Sequence, residues 1–243
     1  MIDLEICANS VQSAVNAQKG GATRIELCQN LNEGGTTPSF AAIKYCVEVL
    51  RLRTYVLVRP RTGDFCYNDA EYETIKTDIE LCKKLGAKGV VVGFLTADGK
   101  VDKKRTAEIV QLAKPLEVTF HRAFDLCADY ASALQDVIDC GCDRILTSGL
   151  SPKATDGVSV LKNLVQLADG RIKILAGSGV NSENARRLIE ETGVSEIHAS
   201  CKKQVSTPNF STQIFDTSNF SHSETDVHEV KFLLKICKSL SKK

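Results

Sequence analysis

The sequence has no surplus of either charge: 31 Lys and Arg stand against 30 Asp and Glu, a formal net charge of +1 over 243 residues. A chain without a basic excess lacks the electrostatic footprint of a nucleic-acid binder, and one without an acidic tail does not read as a solvating segment. No nucleic-acid partner is therefore expected. No apolar run approaches the length of a bilayer-spanning helix. The opening residues Ile2-Asp3-Leu4-Glu5-Ile6-Cys7 already alternate like a strand, with neither a charged leader nor an apolar helix before them. These absences point to a soluble, cytoplasmic protein with no membrane partner. Cys-x-x-Cys is also missing. The ten cysteines are spread through periodic apolar segments, as reduced thiols packed as small hydrophobes would be, and not as a disulfide framework. Cys140-Gly141-Cys142, the one close pair, falls in a helix-to-strand turn and reads as packing.

What the sequence does have is a core and a repeat. At 43% hydrophobic and 25% charged it lies in the ordinary globular range. A short refrain recurs from Gly20, Gly86, Gly141 and Gly193 (GGATRIEL, GAKGVVV, GCDRILT and GVSEIHA), each time after a helical pattern and ahead of a strand-like run. Glycine suits the left-handed residue that ends a helix, so each refrain marks a helix-to-strand junction. Further strands are expected at 55–59, 117–121 and 172–177, which with the opening one make eight. Ser10, Thr37 with Pro38 behind it, Asn68 or Asp69, Asp129, Ser151 and Asn181 are the expected helix caps. Eight alternating strands and helices with no composition shift between the halves predict one α/β domain over 1–243, a closed (β/α)8 barrel. Only 202–224 breaks the rhythm. This Ser-, Thr- and Asn-rich stretch with scattered Phe is expected as a long polar loop before the last helix, a mobile segment or else a lid or oligomer contact.

Side chains alternate along a strand, so each strand can be divided by facing its apolar set toward the helices. Leu4 and Ile6 then face outward, leaving Asp3, Glu5 and Cys7 for the lumen. The same parity sends Arg24, Glu26, Cys28, Leu57, Arg59, Thr119, His121, Arg144, Leu146, Ser148, Glu196, His198 and Ser200 inward. Barrel lumens are ordinarily filled with branched apolar layers, and a buried charge left unpaired costs about 3–5 kcal/mol. The charges near the strand starts, Arg24, Arg144 and Glu196, are expected as a structural ion-pair network. Those near the carboxyl ends, Glu5, Glu26, Arg59, His121 and His198, are expected at a ligand site, because α/β barrels place their chemistry on that face.

Phe120-His121-Arg122-Ala123-Phe124-Asp125 ends a strand in an imidazole, a guanidinium and a carboxylate, with no Gly or Pro to account for the break. Arg61 adds a second arginine beyond Arg59, while Ser148 and the turn Gly177-Ser178-Gly179 offer small donors and backbone amides of the kind that hold anions. Arg59, Arg61, Arg122, Ser148, Gly177, Ser178 and Gly179 are thus candidate anion-binding residues, and Glu5, Glu26, His121, Asp125 and His198 candidate catalytic ones. Cys7 and Cys28 end neighbouring strands, each two residues after a lumen-facing glutamate. Thiolates so placed suit a soft ion such as Cu(I), although buried free cysteine is commonly mere packing.

Taken together, Leu4-Glu5-Ile6-Cys7, Arg24-Ile25-Glu26-Leu27-Cys28, Glu33-Gly34-Gly35-Thr36-Thr37-Pro38-Ser39, Arg59-Pro60-Arg61, Thr119 through Asp125, Leu146-Thr147-Ser148-Gly149 and Glu196-Ile197-His198 resemble the CutC copper homeostasis family, in consistent order up to about residue 200. The chain departs from the family pattern at Arg61-Thr62-Gly63, where a double Gly is usual, and at Ser178. The resemblance implies a TIM-type barrel and a cytosolic role in copper homeostasis, with copper ion bound as Cu(I) by the cysteine pair Cys7 and Cys28. The lumen charges support a different expectation, an enzyme acting on a small anionic or phosphorylated metabolite at the strand ends. A homo-oligomer, first of all a dimer, is a further expectation, with 202–224 as the contact.

Overall fold

In the computed structural model, which describes residues 2–205 and 221–241, eight parallel strands close in sequence order into a barrel. They are β1 (Asp3–Ala8), β2 (Arg24–Leu27), β3 (Arg53–Leu57), β4 (Gly89–Val92), β5 (Glu117–Phe120), β6 (Arg144–Thr147), β7 (Lys173–Ala176) and β8 (Glu196–Ala199). The outer layer is α1 (Val11–Gly20), α2 (Phe40–Lys44), α3 (Asp69–Leu85), α4 (Lys103–Ala113), α5 (Tyr130–Asp139), α6 (Val158–Ala168), α7 (Ala185–Thr192) and α8 (Val227–Leu240). The (β/α)8 expectation holds. No helix among the described residues is long and apolar enough to cross a membrane.

The hydrophobic core lies between barrel and helices, where the outward-facing Ile6, Ile25, Val56, Val90, Phe120, Ile145 and Ile197 are fully buried. Helix boundaries follow local chemistry. Asn68 and Glu71 form a reciprocal capping box at the start of α3, and Gly21, Gly86 and Gly193 end α1, α3 and α7 in the left-handed conformation. Ser10 and Asp129 cap α1 and α5 as expected. Three other caps differ. Asn184, not Asn181, stands at the start of α7, because Asn181 accepts from Glu183 N and Asn184 N in the turn ahead of it. Ser39, not Thr37, caps α2, because the Thr37 hydroxyl accepts from Arg59 N instead. Gly157, not Ser151, precedes α6, since the connection from β6 runs through extra turns that expose Ser151 O to the Ser148 hydroxyl.

The ends of the 202–224 stretch are not loop. Lys202–Val205 (β9) and His222–Thr225 (β10) pair antiparallel beside the barrel, anchored where Asn16 Nδ2 donates to Thr225 O. The 206–220 part of the expected lid or oligomer contact lies outside the described residues.

Candidate functional site

The lumen is built in two tiers, and its floor is an ion-pair network. Arg24, Glu117, Arg144 and Glu196 are the first residues of their strands. Glu196 takes Arg24 at 2.8 Å and Arg144 at 2.5 Å. Burial alone would raise the Glu196 carboxyl, but Arg144 and Arg24 hold it down at about 2. Tyr55 provides the surface between the two guanidiniums, which lie 4.9 and 5.2 Å from its ring, and donates its hydroxyl to Glu117. The structural role expected for Arg24, Arg144 and Glu196 is what their contacts show. Tyr55 and Glu117 extend the network, with Lys173 on Glu196 and Lys88 on Glu117 at its edge; Tyr55 and Glu117 share parity with residues assigned to the lumen and could have been found by extending the alternation toward the strand starts.

Glu5 links the floor to the upper tier. Its Oε2 accepts from Arg24 Nε at 2.7 Å and its Oε1 lies 2.9 Å from His198 Nδ1, a contact set by the β1–β8 register that places Glu5 opposite His198. Burial opposes the charge on both groups. For Glu5, His198 and Arg24 overcome it and hold the carboxyl below its ordinary value. For His198, burial is outweighed by Glu26, Cys7 and Glu5, which push the imidazole well above its ordinary value.

Above them, at the carboxyl ends of the strands, is a cavity of about 280 Å³ lined by Cys7, Glu26, Leu57, Arg59, Phe65, His121, Arg122, Ser178, Gly179, His198 and Lys202, among others. Glu26 is buried and its Oε2 meets no partner among the described residues; burial raises its carboxyl to about 7. His121 is fixed by the turn that follows β5. Ala123 N donates to His121 Nδ1 at 3.1 Å, so the ring is neutral with its proton on Nε2, and that Nε2 has no partner among the described residues. Burial, then the Arg59 charge, depresses this imidazole to about 3. Gly93 leaves room for the ring, since a Cβ there would lie 2.4 Å from it. The Arg59 guanidinium donates to the carbonyls of Glu33, Gly35 and Gly63 and lies over Phe65 at 5.0 Å, which in turn lies 4.7 Å from His121. Its Nε and the neighbouring Tyr67 hydroxyl are both buried and neither meets another partner among the described residues, while the Arg59 charge acts on that hydroxyl.

Cys7 Sγ and Cys28 Sγ are 3.8 Å apart. The Cys7 thiol is pushed up by its hydrogen bond with Cys28 and by burial. Ligand atoms of Cys7, Glu26 and His198 all lie within 4.8 Å of one another, and Cys28 stands outside that trio. An ion at a metal–thiolate distance of about 2.3 Å from both sulfurs would see them at an angle of roughly 110°. The pair alone therefore makes a bent, incomplete site that Glu26 or His198 could close.

Other expected site residues are occupied elsewhere. Arg61 is turned to Glu71 and Asp64, away from the cavity. Asp125 is spent holding the β5 and β6 ends together, accepting from Thr147, Ser148, Leu150 and Arg122. Ser148 is fully buried, its hydroxyl shared between Asp125 and Ser151 O. Gly177 N donates to Thr147 O, and a Cβ on this glycine would meet Leu146 at 2.6 Å and His198 at 3.3 Å; it gives packing room beneath the cavity. Nor does Gly177-Ser178-Gly179 open a helix, because α7 begins at Ala185 and the Asn181 side chain accepts from Glu183 N and Asn184 N in the turn ahead of it.

The protein is thus a closed β/α barrel with an ion-paired floor and a polar cavity at its carboxyl face. Residues 2–203 match the model of the CutC family, and the chain belongs to that family. It is 46% identical over 232 residues to a CutC family protein of Bacteroides fragilis, covering 93% of this chain and 92% of that one. It is 41% identical over 244 residues to the human copper homeostasis protein cutC homolog, covering 98% and 89%. The crystal structure of CutC from Streptococcus agalactiae superposes with a TM-score of 0.79 at 33% identity, over 82% of this chain and 99% of that one.

Proposed function

We propose that this member of the copper homeostasis family binds Cu(I) as cargo through the thiolates of Cys7 and Cys28, in the reducing environment of the cytoplasm. The observation that carries the reading is the 3.8 Å separation of the two sulfurs on neighbouring strand ends. Thiolate is the ligand type that selects Cu(I), and a third donor from Glu26 or His198 stands beside Cys7. The raised Cys7 thiol means that metal uptake releases protons, so binding weakens as pH falls. All ten cysteines are unpaired, which suits that compartment.

Anaerobic titration with Cu(I) in the presence of a competing chelator tests the site. Wild-type protein is expected to take up a single high-affinity equivalent that the Cys7→Ser, Cys28→Ser double variant lacks. Equal stoichiometry and affinity in the two proteins would remove the cysteine pair from consideration.

A further inference from the structure

Buried polar side chains without partners mark where a ligand is wanted, because an unmet donor or acceptor in a closed site costs free energy. Six such atoms occur among the described residues, and three of them, Glu26 Oε2, Arg59 Nε and His121 Nε2, belong to residues lining the one cavity at the barrel mouth. The copper reading uses neither Arg59 nor His121. Both are about nineteen-twentieths buried, and Phe65 lies against each of them, so the three side chains form one continuous part of the cavity lining.

The chemistry of that wall defines its ligand. His121 is held as a neutral donor, because Ala123 N occupies its other ring nitrogen; it can offer one N–H to one oxygen and cannot act as a cation. Arg59 supplies the charge, with its head locked by three loop carbonyls. Arg122 and Lys202 line the same cavity, so an anion is favoured. A doubly charged phosphate is disfavoured, because Arg122 is already paired with Asp125 and the Arg59 head is held by three loop carbonyls. A volume of about 280 Å³ equals the share of roughly nine water molecules and suits a compact metabolite.

We infer that the cavity binds a small carboxylic acid bearing a second oxygen on the adjacent carbon, a 2-oxo or 2-hydroxy acid, with its carboxylate toward Arg59 and its second oxygen accepting from His121 Nε2–H. A neutral imidazole donor on such an oxygen is also the arrangement that polarises a carbonyl, so His121 is the residue that separates these acids from simple carboxylates.

Calorimetric titration of metal-free protein with pyruvate, lactate, propionate and inorganic phosphate tests the assignment. Pyruvate and lactate are expected to bind roughly fivefold to tenfold more tightly than propionate, the value of one added hydrogen bond. His121→Asn keeps an acceptor for Ala123 N but loses the outer N–H, and should bring all three acids to the affinity of propionate. His121→Gln can place an N–H near the Nε2 position and should keep part of the difference. Phosphate binding more tightly than the acids, or a wild-type preference for pyruvate over propionate that survives in His121→Asn, would overturn the inference, as would heat-silent titrations with all four compounds. The Cys7→Ser, Cys28→Ser variant should bind pyruvate like wild type; loss of binding there would place the ligand on the thiols and against this wall assignment, independently of whether copper binds.

Discussion

His198 Nδ1 sits 2.9 Å from Glu5 Oε1 while the other oxygen of the same carboxylate holds Arg24 at 2.7 Å, so one buried anion serves a cation of the floor and a cation of the cavity. Both shifts have a definite sign. Glu5 is lowered, so its stabilisation is complete above its unfolded value near 4.5 and is lost as pH falls through the folded value. His198 is raised, so its stabilisation is complete below its unfolded value near 6.5 and is lost as pH rises through the folded value. The pair therefore contributes fully between those two unfolded values. Glu5→Gln is expected to lower the His198 pKa and to cost about 3–5 kcal/mol, because Arg24 and His198 lose their shared counter-ion. An NMR titration of the His198 ring that shows the same pKa in both proteins would refute the coupling.

Glu26 and His121 predict opposite pH slopes in the same range. Glu26 holds its proton up to about 7 in the folded state against 4.5 unfolded, so folding weakens as pH rises across that window, by about 3 kcal/mol. His121 stays neutral down to about 3 against 6.5 unfolded, so folding weakens as pH falls across its window, by about 5 kcal/mol. Between 4.5 and 6.5 the two oppose each other. Relative to wild type, Glu26→Gln should gain stability as pH rises from 4.5 to 6.5, and His121→Gln should lose it. Urea midpoints at three pH values in that range check both signs, and parallel profiles for all three proteins would contradict them.

Strand parity read from the sequence was enough to find the lumen charges, because each strand carries its own apolar alternation. It separated Arg24, Arg144 and Glu196 at the strand starts from His121 and Arg59 at the ends. What it could not show was the register with which β8 closes onto β1, and that register alone decides that Glu5 is shared between Arg24 and His198. Arg61, Asp125 and Ser148 stand outside the cavity lining for a related reason. Their position near the carboxyl face is a property of the chain, but their commitment to Glu71, Thr147 and Ser151 is decided by loops whose course no periodicity encodes. The neutrality of His121 was equally hidden, since it rests on one backbone N–H two residues away.

The barrel floor should be far more sensitive to charge removal than any surface pair. Glu196→Gln leaves Arg24 and Arg144 facing each other across Tyr55 with their common carboxylate gone, and is expected to cost about 3–5 kcal/mol in urea unfolding. Arg187 and Glu191 make a comparably short contact, at 2.7 Å, on the open face of α7, yet Glu191→Gln should leave the midpoint where it is, because solvent screens that pair. Similar losses at the two sites would show that burial does not govern these interactions.

Thiol accessibility separates Cys66 from the proposed copper ligands. Cys66 is the exposed cysteine, whereas Cys7 and Cys28 are buried and the Cys7 thiol is raised by Cys28 and by burial. Alkylation requires a thiolate within reach of the reagent. Native protein treated with iodoacetamide at neutral pH should therefore incorporate a single equivalent, at Cys66, and Cys66→Ser should incorporate none until urea opens the barrel. Unfolded protein should expose the remaining thiols, all of which are buried in the native barrel. Peptide mapping that found Cys7 or Cys28 modified in the native state as fast as Cys66 would mean that the barrel mouth admits the reagent and that the Cys7 thiol ionises near neutrality. Loading with Cu(I) would then need no proton release, and its binding would lose the pH dependence expected from a raised Cys7 thiol.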